Sequence, residues 1–278
     1  NPNKDGIIPV KIIITAEDTW NIFPVPYPKY NSNSGLEFKL KVKDYNFFGS
    51  MEEMNFDLVF FQEDEGEENN VGLGIDFAIP FSVKNLDVIW DTDANIEYTL
   101  GENKTGFSFE SGLDISFPFF DIVTPHLILS QKIEQETDEE YIDIGDKLFL
   151  TEYAEFNLEF TIANSNSILD KVILKPYTSI EYNWDKDGVK HEDLIGPRLG
   201  FGADLTGGNT DWINNFRNGL EINIAQDFIY NFGKKTDKLC PKVSLDTKAY
   251  YATEYVGFNT RLNAFTYYGM NNPEKDNI

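Results

Sequence analysis

The sequence predicts an all-β fold, an antiparallel up-and-down β-barrel of the transmembrane kind, on three observations. The first is alternation. Gly35, Leu36, Glu37, Phe38, Lys39, Leu40, Lys41, Val42 and Lys43 set apolar and charged side chains in strict turn after the glycine. Successive strand side chains point to opposite faces, so Leu36, Phe38, Leu40 and Val42 share one face and the charges share the other. The second is repetition: such segments recur about ten times, each about 9–11 residues long, the length a tilted strand needs to cross a bilayer. The third is the weakness of helix signals. No stretch of about 12 residues keeps an apolar 3.6 period, and runs such as Leu58-Val59-Phe60-Phe61 fall far short of the roughly 20 residues of a spanning helix.

Taken in order, Val10 to Ala16 reads as an apolar strand. The link Trp20 to Pro28 places Pro24, Pro26 and Pro28 at alternate positions, which predicts an extended junction rather than a strand. From Gly35 the pattern settles. Met54, Phe56, Leu58 and Phe60 alternate with Asn55 and Asp57; Val71, Leu73, Ile75, Phe77 and Ile79 alternate with Gly72, Gly74 and Asp76. Ala94 to Leu100 and Phe107 to Phe117 follow, then a weaker segment from Pro125 to Gln131. Ala154 to Ile162, Ile180 to Trp184, Leu199 to Leu205, Leu220 to Ile224, Val243 to Ala249 and Val256 to Tyr267 complete about 12 strands. Ile79-Pro80-Phe81-Ser82 and Phe117 to Asp121 look like tight aromatic corners, whereas Gln62 to Asn70 and Ile133 to Glu140 are acidic and polar. Short turns at one end and longer polar loops at the other are a habit of transmembrane barrels.

A sheet in a soluble sandwich also alternates, but its strands usually run about 5–6 residues, shorter than most segments here. The faces opposite the apolar stripes mix Gly, Ser, Asn and Glu, as a crowded wet lumen requires. Glu37, Lys39, Asp57, Asp76, Glu110, Asp114, Glu155, Glu159, Arg198, Asp204, Glu221, Asp246 and Arg261 are expected to face that lumen. Aromatics gather where the apolar faces end: Tyr45, Phe47, Phe48, Phe119, Phe120, Tyr250, Tyr251, Tyr267 and Tyr268 are the expected interfacial girdle.

Composition narrows the function classes. With 23 basic and 47 acidic residues the formal charge is −24, which disfavours nucleic acid and anionic headgroups as partners. The single cysteine, Cys240, leaves no intramolecular disulfide and no multi-thiolate zinc site. His126 and His191 lie far apart in sequence without metal spacing, and a structural or solvated role is expected for both. Asp185-Lys186-Asp187-Gly188 opens like a calcium loop, but the glutamate at the twelfth position is missing, so a polar hairpin tip is expected. The run Glu63 to Glu68 reads as a solvated acidic loop. Gly72 with Gly74, and Gly200 with Gly202, lie within strands where neighbours crowd, not in a phosphate loop. With no Gly-x-Ser-x-Gly elbow, neither enzymatic activity nor a cofactor is expected.

The stretch Ile12 to Trp20, the proline-rich link, Asn31 to Gly35, and Asp44-Tyr45-Asn46-Phe47-Phe48-Gly49-Ser50 stand in an order that resembles the start of the barrel in the BamA/TamA-like outer-membrane assembly superfamily. The resemblance covers about the first 60 residues. It implies that residues 1–30 are the end of a periplasmic POTRA-like module with its Trp/Pro linker, and that 31–278 are outer-membrane barrel. It also implies that Gly35 to Lys43 is the first barrel strand, joined to the second by the turn of Asp44, Asn46 and Gly49. The family's Arg-Gly-aromatic loop has no convincing counterpart; Gly196 to Phe201 has similar letters on a regular strand pattern. A start without Met, and a tail from Asn271 to Ile278 without a finishing strand, suggest a piece of a longer protein.

What the resemblance implies about function is assembly or insertion of other outer-membrane proteins, or secretion of a partner chain. A client would pair by β-augmentation at the seam between first and last strands. The partners implied are outer-membrane lipid and nascent outer-membrane or secreted chains, in a bacterial outer membrane of a Gram-negative-type envelope. Two other readings stay open: a passive porin-like channel with mild cation preference, and a soluble β-sandwich binding protein.

Overall fold

The structure, a computed structural model, describes residues 20–31, 35–49, 51–62, 69–100, 104–118, 122–136, 147–164, 171–184 and 197–269. Thirteen strands follow one another: β1 (Ile22–Asn31), β2 (Gly35–Asp44), β3 (Met54–Gln62), β4 (Asn69–Val83), β5 (Leu86–Leu100), β6 (Lys104–Ser116) and β7 (Val123–Glu136). They continue as β8 (Lys147–Asn164), β9 (Lys171–Trp184), β10 (Arg198–Ile213), β11 (Phe216–Asn231), β12 (Leu239–Ala252) and β13 (Gly257–Tyr267). All belong to one sheet in sequence order, each antiparallel to its neighbours, with β1 and β13 at its two ends. The described residues contain one short 3-10 turn, Phe47–Gly49, and no α-helix. This is the up-and-down order the alternation implied. The sheet is not closed, and no second sheet covers it, so a sandwich is not what these residues form.

Length follows from pattern. β8 runs 18 residues, and β10 and β11 run 16 each, well beyond the usual globular strand of about 5–6. Tight two-residue turns join the longest hairpins: β4 turns into β5 through Lys84 at φ 60°, and β10 into β11 through Asn214 at φ 54°. The one irregularity in the ladders lies between β8 and β9, where the register shifts between Thr161 and Ala163.

Three expectations change. The proline-rich link is not a junction: Ile22–Asn31 is strand β1, paired with β2 over its whole length from Ile22↔Asp44 to Asn31↔Gly35. Pro24, Pro26 and Pro28 fit because alternate residues of an antiparallel strand direct their backbone groups to opposite sides. Asn21 O accepts from Tyr45 N, so odd-numbered residues face β2 and the prolines face outward, where no neighbour asks for a donor. Gly35 to Lys43 is therefore a second strand, flanked by β1 and β3, and not an edge. Finally, Ile79 to Ser82 is no corner but the end of β4; Pro80 is tolerated because the β3 ladder stops at Phe77. The thirteenth strand, against about 12 expected, is β1.

The predicted strand at Val10 to Ala16, the acidic run Glu63 to Glu68, Asp185 to Gly188 and His191 lie outside the described residues. So do Phe119, Phe120 and the tail from Asn271.

Candidate functional site

Cross-strand partners lie on the same face, so the registers sort every strand residue onto one of two surfaces. One carries Phe38, Leu40 and Val42 of β2, Phe56 and Leu58 of β3, and Leu73 and Ile75 of β4. It continues through Ile96, Phe109, Leu129, Phe156, Ile180, Leu199, Phe201, Leu205 and Ile224 to Leu262. Most of these are exposed: Leu73 at 42%, Phe109 at 45% and Phe201 at 44%.

The opposite face is polar and for the most part half-buried, although Asp91, Asp93, Asn95 and Glu97 of β5 and most of β13 are exposed. All thirteen charged residues expected on one face, from Glu37 to Arg261, fall there. The result inverts an ordinary protein. Among the described residues the buried apolar side chains are Val88 and Ala252, whereas the buried polar ones are Asn55, Asn157, Asn183 and Asn231 on the polar face, Thr92 on the apolar face and Lys234 between β11 and β12. Of these, Asn157 is 2% exposed.

The polar face is held by ion pairs and hydrogen bonds. Lys39 Nζ lies 2.6 Å from Asp57 Oδ2, and Asn55 Nδ2 donates to Asp76 Oδ2 at 2.8 Å. Arg261 grips Asp246 with two bonds of 2.9 and 2.7 Å, the bidentate geometry that suits a guanidinium. Arg198 pairs with Glu181, and Lys175 Nζ stands 3.9 Å from Asp204. His126, expected to be structural or solvated, has its Nδ1 2.9 Å from Asp114 Oδ1 on the adjacent strand. Sequence spacing could not reveal this, because the partners meet only through the β6–β7 register.

The glycines on this face have a visible purpose. Tyr177 of β9 lies across β10 and donates its hydroxyl to Asp227 Oδ1 of β11 at 2.7 Å. A Cβ on Gly202 would come within 2.8 Å of the Tyr177 ring. Glycine at this position lets a tyrosine bridge three strands, the crowding expected of Gly200 and Gly202. Beside it, Glu155 accepts from Tyr153 at 2.5 Å and from Asn157 at 2.8 Å. A polar cavity of about 280 Å³ opens among these groups. Among the described residues, no group of three His, Cys, Asp or Glu side chains is arranged to hold a metal ion.

The family-like turn joins β2 to β3, not the first two strands of the sheet, and its residues build it. Asp44 Oδ1 accepts from Asn46 N at 3.0 Å, an Asx turn. Asn46 Oδ1 accepts from Met51 N at 3.0 Å, and Asn46 O accepts from Gly49 N at 2.9 Å. Gly49 takes φ 76°, a left-handed conformation suited to glycine. Lys43 Nζ meets Glu53 Oε1 at 2.5 Å across the turn, and this bond holds the Glu53 carboxyl below the usual carboxylate range.

The aromatic girdle is only in part a band. Phe23 packs edge-on to Tyr45, Phe47 tilts against Phe77, and Phe77 meets Trp90 edge-on, each at 5.2–5.7 Å between centroids. Tyr251 is exposed on the apolar face beside the β12–β13 turn, and Tyr268 is exposed at the far end of β13. Tyr250 and Tyr267 instead share the polar face; Tyr250 donates to Glu221 at 3.4 Å and stacks near Arg217. They read as girdle residues because adjacent tyrosines look alike in sequence, yet neighbours in a strand face opposite ways. The Phe48 side chain is outside the described residues.

Two edges remain. β13 offers Gly257 to Tyr267 on its outer side, and β1 offers a row whose donors at 24, 26 and 28 are replaced by proline. Compared with known proteins, the chain matches no family model and no curated protein.

Proposed function

We propose that this chain forms the wall of a transmembrane β-barrel in a bacterial outer membrane, where it serves to assemble or insert other outer-membrane chains. The observation that carries the membrane reading is the inversion of side-chain chemistry: large apolar residues are exposed over most of one face while Asn55, Asn157, Asn183 and Asn231 are buried on the other. In water such a face would cost roughly 25 cal/mol for each Å² left uncovered. Against acyl chains it is at no disadvantage, and the inner strands pair their backbone groups as a medium without hydrogen-bonding partners demands; the open edges of β1 and β13 must be paired by each other or by another strand. Strand length supports the same reading, since every strand equals or exceeds the about 9–11 residues of a crossing.

The assembly reading rests on two further supports. The turn of Asp44, Asn46 and Gly49 is built by the residues that carried the family resemblance, with Asn46 bridging both ends of it. The sheet also presents an unpaired edge at β13, a template for another strand, while the outer row of β1 offers carbonyls but no N–H at Pro24, Pro26 and Pro28 and so makes a weak seam. The seam strand on this reading is Ile22–Asn31 rather than Gly35 to Lys43.

Depletion of the protein in its own cells separates assembly from passive conduction. Loss of several unrelated outer-membrane β-barrel proteins, with precursor accumulating in the periplasm, is the expected result. Unchanged levels of those proteins, with only solute uptake altered, would overturn assembly in favour of a channel.

A further inference from the structure

A continuous polar row crosses the apolar face. Thr92, Ser111, Gln131, Glu152 and Tyr182 are successive cross-strand partners on β5 to β9 and form a single polar row over five strands. Trp90 Nε1 donates to Ser111 Oγ at 2.9 Å, and the Thr92 and Ser111 hydroxyls lie 3.1 Å apart. Phe109 and Ile133 border the row on one side, Leu113 and Leu129 on the other. A groove of about 780 Å³ follows it, and Glu152 is the one charged side chain among the described residues that line it. Nothing in the sequence flagged Glu152, because a single glutamate on an apolar stripe looks like a lapse in the alternation.

Hydrocarbon cannot satisfy such a row, and a carboxylate facing acyl chains is costly. Glu152 is the sixth residue of β8, a strand of 18 residues that exceeds the length of a crossing, so it falls toward one membrane surface and not at mid-depth. The groove thus joins an anionic, hydrogen-bonding upper part to walls of Leu, Ile and Phe. Its complement is an amphiphile with a cation at the head and hydrocarbon below.

We propose that this groove binds a phospholipid whose headgroup carries a primary ammonium. The ammonium sits on the Glu152 carboxylate, the phosphate accepts from the Gln131 amide, and the acyl chains lie over Leu113 and Leu129. The proposal rests on the membrane reading above.

Trp90, at the edge of the groove, reports on it. With Trp20, Trp184 and Trp212 replaced by Phe, the full chain is reconstituted in vesicles holding equal fractions of an ethanolamine and a glycerol phospholipid. One of the two carries brominated chains in each sample. Brominated ethanolamine lipid is expected to quench Trp90 at least twofold more than brominated glycerol lipid, and Glu152→Gln to bring the ratio to one. Equal quenching by both lipids with Glu152 intact would overturn the lipid site while leaving the barrel standing. Quenching by neither would show that the face does not meet lipid, and both readings would fall together. Because triple replacement of tryptophan can impair folding, native mass spectrometry of the unsubstituted chain provides the second arm. A retained ethanolamine lipid that Glu152→Gln loses supports the site; retention unchanged by that substitution overturns it.

Discussion

The two faces of this sheet follow opposite rules, although one backbone carries both. On the apolar face, side chains such as Leu73, Phe109 and Phe201 stand exposed, even where Phe201 stacks on Phe228 of the next strand. On the polar face, Tyr177 reaches across β10 to Asp227, Arg261 grips Asp246, and Asn157 is almost sealed from solvent. The difference teaches where specificity lies. Away from the row of Thr92 to Tyr182, the apolar face asks only for hydrophobicity, whereas the polar face asks for particular partners in register. Substitutions on the first should therefore act through the medium, and those on the second through lost partners.

The largest effect is expected from charge on the apolar face. Ile75→Arg, in the middle of β4, should destabilise the reconstituted protein by about 2–4 kcal/mol in denaturant unfolding from vesicles, while Ile75→Leu changes little. A similar cost in detergent-free buffer would contradict a lipid-facing role. Next comes loss of a polar-face bridge. Tyr177→Phe leaves Asp227 without that donor and should cost about 1.5–3 kcal/mol in the same assay. Restoring the hydroxyl elsewhere should not rescue it, because only Gly202 leaves room for the ring.

How much of this was legible in the sequence follows from the same contrast. Alternation at Leu36 to Lys43 or Ala154 to Ile162 is a property of single strands, so strand identity, face and up-and-down order could all be read directly. Pairings between strands could not. His126 with Asp114, and the row from Thr92 to Tyr182, exist only once registers are fixed. The prolines misled for a different reason. A proline bars a strand only where its missing N–H would face a neighbour, and at Pro24, Pro26 and Pro28 no neighbour stands on that side. That error moved the proposed seam by one strand, from β2 to β1.

Smaller effects sharpen the comparison at the border between the faces. Asn46→Ala removes the bond to Met51 N and should cost about 0.5–1.5 kcal/mol, with Asn46→Asp recovering most of it. The smallest effect is a pH dependence at the same turn. Lys43 holds the Glu53 carboxyl below its ordinary range, so the pair's contribution is present above that range. It is lost as pH falls through the lowered value. Glu53 is partly exposed, so the contribution is under about 1 kcal/mol. The unfolding midpoints of the parent and Glu53→Gln should differ near neutral pH and converge in acid. A difference that persists in acid would rule out this linkage.

The inversion itself is tested most directly by spin labels placed one at a time from Leu220 to Asp227 of β11 in lipid vesicles, in a background lacking Cys240. Labels at 220, 222, 224 and 226 should be reached by oxygen from the bilayer. Those at 221, 223, 225 and 227 should be reached by a water-soluble nickel chelate, giving a period of two. Equal access to the chelate at both parities would mean that the apolar face of this sheet meets water, and the membrane wall would have to be abandoned.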